Sequence, residues 1–168
     1  MISLIPIHED NFAVFLKESI DHFIEDIQTS ENISMDEAKI QAESKLSTVL
    51  PYREKTPGHY FFHIIVEEDR MEVGYFWLLI KEENDRKEAF VFDIMIHPDQ
   101  RGKGYGKAAM LCGEDIVKEM GVGKNWLHVI AQNTIALALY RKLGYKTSKT
   151  YKMKNGTDDA SYNMTKSL

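Results

Sequence analysis

Hydrophobic residues along this chain recur with two periods, and the switches between them mark out its elements. Ile2 to Ile7 reads as a short first strand. Phe12, Phe15, Leu16, Phe23, Ile24 and Ile27 then recur at helical spacing. Thr29 to Ile33 is a polar break. Ser34-Met35-Asp36-Glu37 has the form of a capping box, in which the hydroxyl and the carboxylate each satisfy a free backbone N–H, and Pro51 stops the helix it opens. Thr56-Pro57-Gly58 is a loop. His59 to Val66 and Met71 to Ile80 read as strands joined by the charged turn Glu67 to Arg70, and Lys81 to Lys87 reads as another charged turn. Ala89 to Ile96 is nearly all apolar, which suits a central strand covered on both faces. A helix over 104–120, a strand over 125–130, a helix over 134–143 and two late strands near 145–153 and 160–166 complete the chain. The pattern alone gives an α+β protein with a mixed sheet. There is no repeat, linker or low-complexity stretch, so residues 1–168 are expected to form a single domain with a real core.

Composition adds exclusions. No secretory leader pattern and no apolar run near twenty residues occurs, so neither export nor membrane insertion is indicated and a cytoplasmic location is expected. The single cysteine, Cys112, forbids an internal disulfide and reads as a small packing residue in a helix. The net charge of −5 is unevenly spread: residues 1–50 carry 10 acidic against 3 basic side chains, and residues 100–155 carry 3 against 11. A basic half suits a polyanionic small molecule, whereas nothing in the chain matches a nucleic-acid module. The acidic segment reads as solvated helix faces or, alternatively, as a surface that favours a cationic acceptor.

The candidate chemistry begins at Arg101-Gly102-Lys103-Gly104-Tyr105-Gly106-Lys107, between the apolar strand and the helix that follows. Glycines there let backbone N–H groups close on an anion, and the helix N-terminus adds partial positive charge. A mononucleotide P-loop is excluded, because Lys107 is followed by Ala108. Gly104 to Ala109 matches the dinucleotide fingerprint literally. Its context does not: His97-Pro98-Asp99-Gln100-Arg101 separates the strand from the glycines, and the next strand, Trp126 to Ile130, ends without the acidic residue a ribose needs.

A third phosphate loop fits both blocks of the chain. Arg101-Gly102-Lys103-Gly104-Tyr105-Gly106, entered through Ile94-Met95-Ile96-His97-Pro98, resembles the pyrophosphate turn of the GNAT superfamily of acyl-CoA-dependent N-acetyltransferases. Downstream, Leu127-His128-Val129-Ile130-Ala131-Gln132-Asn133 and Leu139-Tyr140-Arg141-Lys142-Leu143-Gly144-Tyr145 resemble that family's fifth strand, its CoA-contacting asparagine and the end of its next helix. The match runs from about Ala89 to Tyr145. The resemblance implies the GNAT fold: a central, mixed, mostly antiparallel twisted sheet of six to seven strands flanked by about four helices.

It also implies an activity, transfer of an acetyl group from acetyl-CoA to a primary amine by direct attack in a ternary complex, without a metal. Backbone N–H groups from Gly102 to Lys107 would hold the pyrophosphate, with Gly104 and Gly106 as the critical pair. Ile94, Met95 and Ile96 would pair with the amide-rich pantetheine arm, and a bulge would free one of their N–H groups for the thioester oxygen. Asn133 would cap its helix and touch CoA. Tyr140 falls at the family's general-acid position, protonated at neutral pH and able to reprotonate the leaving thiolate. For the base, His128 is a polar residue in an apolar strand, at a position resembling that of a catalytic glutamate in members acting on protein N-terminal amines. Asp93 is the one charged residue between Ala89 and Ile96, and a buried carboxylate needs a partner, which His128 on the adjacent strand could be. The base of histone-type members would fall at Phe90, so that arrangement does not transfer. Tyr60, Phe61, Phe62, His63, Tyr75, Phe76 and Trp77 supply aromatic groups for an acceptor pocket, of which alternate members should face the core. The residues name neither the acceptor nor the oligomeric state; homodimers are frequent in the family. A non-catalytic CoA-binding sensor or interaction module on the same fold is the alternative.

Overall fold

The computed structural model describes residues 1–83, 86–153 and 156–168, with Glu83 as backbone only. It divides into two compact units, one of Met1–Pro6 with Tyr60–Leu168 and the other of Ile7–His59.

The smaller unit is a helix pair. α1 (Phe12–Glu31) buries Phe12, Phe15, Ser19, Phe23 and Ile24, the stripe that the sequence spacing gives. It runs through most of the expected polar break. Thr29 and Ser30 turn their hydroxyls back onto the carbonyls of Glu25 and Asp26, at 2.8 Å each, and so stay helical. The stop is Asn32, left-handed at φ 53°, whose N–H returns to Gln28. α2 (Met35–Val49) opens with the full capping box between Ser34 and Glu37. It packs on α1 through a stripe as narrow as Ala38, Ala42 and Leu46.

The larger unit is a seven-stranded sheet of β1 (Ile2–Pro6), β2 (His59–Val66), β3 (Met71–Glu83), β4 (Arg86–Ile96), β5 (Lys124–Ile130), β6 (Lys146–Lys152) and β7 (Asp159–Ser167), in the order β1-β2-β3-β4-β5-β7-β6. Of the pairings resolved, β4 with β5 is parallel and those of β1 with β2, β3 with β4, β5 with β7 and β6 with β7 are antiparallel. With α1, α2, α3 (Tyr105–Glu119) and α4 (Thr134–Lys142), this is the expected mixed fold. The charged stretch 81–87 differs from its reading as a turn. Lys81 faces Glu88 and Glu82 faces Lys87, so opposite charges pair across two strands that extend beyond the apolar run. The centre of that turn, Asn84 and Asp85, lies outside the described residues.

The core of this unit lies on one sheet face, under α3 and α4. Ile64, Phe76, Leu78, Val91 and Leu127 meet Ala109, Met110 and Val117 of α3 and Leu137 and Tyr140 of α4. Gly113 lets α3 come this close, since a Cβ there would stand 2.5 Å from the Phe76 ring. Behind α3, the buried Glu114 meets Lys166 Nζ at 2.6 Å. Asn125 donates to the Tyr145 hydroxyl at 2.8 Å. Burial pushes the Tyr145 phenol well above its ordinary value, and the Glu114 carboxylate adds to the shift. The opposite face is aromatic: Trp77 contacts Phe61 and stacks on Phe92 at 4.1 Å, and Phe90 packs on Trp126 at 4.3 Å. Alternation along β2 and β3 thus sorts the aromatic residues, Phe62 and Phe76 to the core cluster and Phe61 and Trp77 to the other side.

Candidate active site

Two strands part at the centre of the sheet. β4 and β5 pair at Ala89 with Asn125, Phe90 with Trp126 and Val91 with Leu127. Beyond Val91, β4 remains paired with β3, through Ile94 to Phe76, Met95 to Tyr75 and Ile96 to Gly74. Trp77 faces Asp93 whereas Leu78 faces Val91, so Phe92 is the extra residue of a bulge. The bulge lies two residues before the stretch for which it was expected. A bulge bends its strand and increases the local twist. The β5-side edge of Ile94–Ile96 therefore carries no strand among the described residues, which leaves backbone amides facing a gap.

Gly74 makes the last part of this strand possible. Its φ is +152°, and a Cβ there would lie 1.9 Å from the Met95 carbonyl oxygen. Sequence reasoning passed over this residue, although a lone glycine inside an apolar strand is the usual sign of such a close approach. At the end of β4 the His97 N–H returns to the Val73 carbonyl at 2.9 Å.

The glycine turn follows a short 3-10 turn at Pro98–Gln100. Gly102 and Gly104 are both left-handed, at φ 76° and 86°, with open space where a Cβ would point. Gly106 lies inside α3, with ordinary contacts to Leu139 and Ile96 around a notional Cβ. The two positions of this turn whose backbone conformation favours glycine are thus Gly102 and Gly104. Among the described residues no side chain caps α3, so the first N–H groups of Tyr105, Gly106 and Lys107 are open to an outside acceptor. Arg101 spends its Nε on the Ile96 carbonyl, at 2.9 Å, tying the turn to the strand end. Lys103 reaches Gln100 at 2.8 Å.

Asn133 caps α4, its side chain accepting from the Ala136 N–H at 3.1 Å. Tyr140, 7% exposed, belongs to the core cluster, with its ring centroid 6.0 Å from that of Tyr145. His128 is exposed. It lies on the sheet face opposite Leu127 and Val129, and Nδ1 meets Asn163 Oδ1 at 2.8 Å. Asp93 is buried and accepts from the Tyr75 hydroxyl at 2.6 Å. The expected His128–Asp93 pair does not form; each finds its partner along its own side of the parted strands. Because β5 leaves β4 after Val91, the two residues are no longer on hydrogen-bonded neighbours. Asn163 and Tyr75 had no signal in the sequence as partners, since cross-strand register decides both contacts. Cys112 Sγ donates to the Ile2 carbonyl at 3.4 Å, and burial pushes its thiol up, which disfavours the thiolate a nucleophile needs.

A strand pair opening beside an uncapped, glycine-led helix start is the arrangement that the resemblance to the GNAT superfamily implies, and residues 22–145 match the family model described as Acetyltransferase (GNAT) family. The chain belongs to the GNAT family. The uncharacterized N-acetyltransferase YycN of Bacillus subtilis (strain 168) is 28% identical over 145 residues, covering 86% of this chain and 92% of its own. A crystal structure of YycN superposes with a TM-score of 0.85 at 27% identity, covering 92% of this chain and 98% of that one. The [Ribosomal protein bS18]-alanine N-acetyltransferase of Escherichia coli (strain K12) is 35% identical over 77 residues, 44% of this chain and 52% of the enzyme. At the level of fold alone, the PaiA N-acetyltransferase of Thermoplasma acidophilum, solved in complex with coenzyme A, superposes with a TM-score of 0.72 at 18% identity over 100% of this chain and 99% of that one. No helix among the described residues is long and apolar enough to cross a membrane.

Proposed function

We propose that the GNAT-family chain transfers the acetyl group of acetyl-CoA to a primary amine by direct attack in a ternary complex. The observation that carries this reading is the opening of β4 from β5 beside the Gly102/Gly104 turn, which sets free amides next to a free helix N-terminus. The N–H groups from Gly102 to Lys107 take the pyrophosphate, with Lys103, Lys107 and Arg101 adding charge. The backbone amides on the β5-side edge of Ile94–Ile96 take the pantetheine arm as an added strand would. One of these N–H groups polarises the thioester carbonyl and holds the oxyanion. Asn133, already fixed as the α4 cap, contacts CoA.

The amine attacks the thioester carbon; the new C–N bond forms and the tetrahedral intermediate collapses with loss of the C–S bond. His128 accepts the proton of the attacking amine. Tyr140 gives its proton to the departing thiolate. Asp93, bonded to Tyr75 on the aromatic face, is the acidic group that would attract a cationic acceptor. A lysine-like amine is neutral about once in 2,500 molecules at pH 7, a gap of about 4.6 kcal/mol, so a base at the site is useful. The bS18-alanine relative makes a peptide α-amine one acceptor to test, and polyamines are a second class.

Calorimetric titration with acetyl-CoA, with NADH as control, tests the cofactor. Micromolar binding of acetyl-CoA alone, followed by amine-dependent release of free CoA thiol, is the expected result. Binding without release for any amine would favour a CoA sensor, and no binding would overturn the reading.

A further inference from the structure

A neutral imidazole accepts a proton only through the nitrogen that carries none, so the partner of the other nitrogen decides where the basic lone pair lies. His128 comes with such a partner. It is the direct Cα neighbour of Asn163 in the antiparallel β5–β7 ladder, which puts both side chains on one face of the sheet. The Nδ1 to Oδ1 distance is 2.8 Å. A carbonyl oxygen can only accept, so Nδ1 is the donor and Nε2 is left with the lone pair.

Asn163 is itself held. Its Nδ2 donates to the Tyr151 hydroxyl at 3.2 Å, and Tyr151 sits on β6, the next strand. The Tyr151 ring meets that of His128 edge on, with centroids 5.6 Å apart and planes at 61°. Lys149 Nζ stands over the Tyr151 ring, 4.7 Å from its centroid. Three adjacent strands thus supply a chain from phenol to amide to imidazole, and the imidazole end is exposed. An exposed histidine that served only packing would have no need of a carboxamide fixed from behind.

We propose that Asn163, anchored by Tyr151, is a positioning residue for His128: it fixes the Nδ1–H tautomer and so presents Nε2 as the proton acceptor for the incoming amine. The proposal rests on the reading of His128 as the base. The opposite placement of the Asn163 amide would donate to Nδ1 and leave Nε2 as an N–H, unable to take a proton. Among the described residues, the charged and titratable groups on this sheet face include Lys124 of β5 with Glu88 of β4, Asp93 of β4 with Tyr75 of β3, and Lys149 and Tyr151 of β6; the contact at Nδ1 is made by Asn163.

The deciding experiment is long-range 1H–15N NMR of the His128 ring in the intact protein, above the pH at which it deprotonates. A protonated Nδ1 and an unprotonated Nε2 are expected; the reverse pattern overturns the tautomer lock. Asn163→Leu removes the acceptor, and the ring should revert toward the Nε2–H form, with kcat/KM falling about 10-fold through loss of the competent tautomer while acetyl-CoA affinity is kept. Asn163→Asp keeps an acceptor and adds a charge that favours the imidazolium, so Nδ1–H should be retained and the acidic limb of the kcat/KM profile should move to higher pH. Unmoved ring shifts in Asn163→Leu and an unmoved limb in Asn163→Asp would overturn the positioning role. A separate outcome concerns the base itself. Nδ1–H in the wild type together with an unchanged acidic limb in His128→Ala would leave the lock standing and overturn the reading of His128 as base.

Discussion

Tyr140 is a phenol inside the core cluster at the end of α4. Replacing it with phenylalanine keeps the ring and removes the proton. If it reprotonates CoA, Tyr140→Phe should lower kcat about 100-fold or more with the affinity for acetyl-CoA unchanged. Single-turnover and calorimetric measurements together check both halves. Lys166 makes a sharper point about stability. Its ammonium neutralises Glu114, which is only 2% exposed. Lys166→Met would leave that carboxylate without its cation and should cost about 3 kcal/mol in urea unfolding, with Lys166→Met/Glu114→Met recovering most of it. Tyr145 shares this network, and its raised pKa has a definite sign. Stability from a raised pKa is present below the unfolded value near 10 and is lost as the pH rises beyond it, so unfolding should become easier above about pH 10, and less so in Tyr145→Phe. At this scale the pattern marked His128 and Asp93, each a polar group in an apolar strand, whereas Asn133 and Tyr140 were picked out by the resemblance to GNAT members. The sequence could not pair them. Whether Asp93 meets His128 or Tyr75 depends on where β4 leaves β5 and on one bulged residue, and neither has a local signal.

Elements were legible wherever local chemistry agreed with the pattern. The capping box at Ser34 and Glu37 is one such place: both reciprocal bonds form, and Ser34 holds the Glu37 carboxyl below its ordinary range. Ser34→Ala should therefore destabilise α2 by about 1 kcal/mol, measurable as a shift in the denaturant midpoint. The boundary at Thr29 was misread because hydroxyl residues favour breaks on average, whereas here they bond back to the preceding turn. The turn at 81–87 was overdrawn because charged residues are equally at home as cross-strand pairs. Packing distance was also beyond the pattern. Gly113 looks like a helix weakness in the sequence, yet α3 needs it: an added methyl meets the Phe76 ring at 2.5 Å. Gly113→Ala gains about 1 kcal/mol of helix propensity. Overpacking costs about 1–3 kcal/mol, and because Phe76 is fully buried and fixed in the core, the net effect should be destabilising. Thermal unfolding of the two proteins decides it, and a stabilised variant would mean that Phe76 can move aside.

On the scale of the whole molecule, charge and ligand binding are linked. Residues 100–155, which contain the glycine turn, the start of α3 and the whole of α4, carry 11 basic against 3 acidic side chains in a protein of net charge −5. Lys103 and Lys107 lie at the turn itself and are exposed, where water and salt screen them. If a polyanion is bound here, part of its affinity comes from these exposed charges and part from backbone N–H groups that salt screens far less. Acetyl-CoA binding should therefore weaken with ionic strength but not vanish, and a Lys103→Gln/Lys107→Gln protein should show a shallower salt dependence rather than a complete loss. Binding should also appear as stability. A ligand at 100 times its Kd stabilises the protein by about 2.7 kcal/mol, which for a chain of this size is a rise in Tm of about 5–10 °C. Gly104→Val separates the backbone contribution from the charges. It leaves every lysine in place but puts a β-branched residue where φ is +86°, so the turn must open and the N–H groups lose their common direction. The expected result is loss of most of the acetyl-CoA-induced rise in Tm, at low and high salt alike. A Gly104→Val protein that kept the full rise would show that side-chain charge, not the backbone of the turn, holds the ligand.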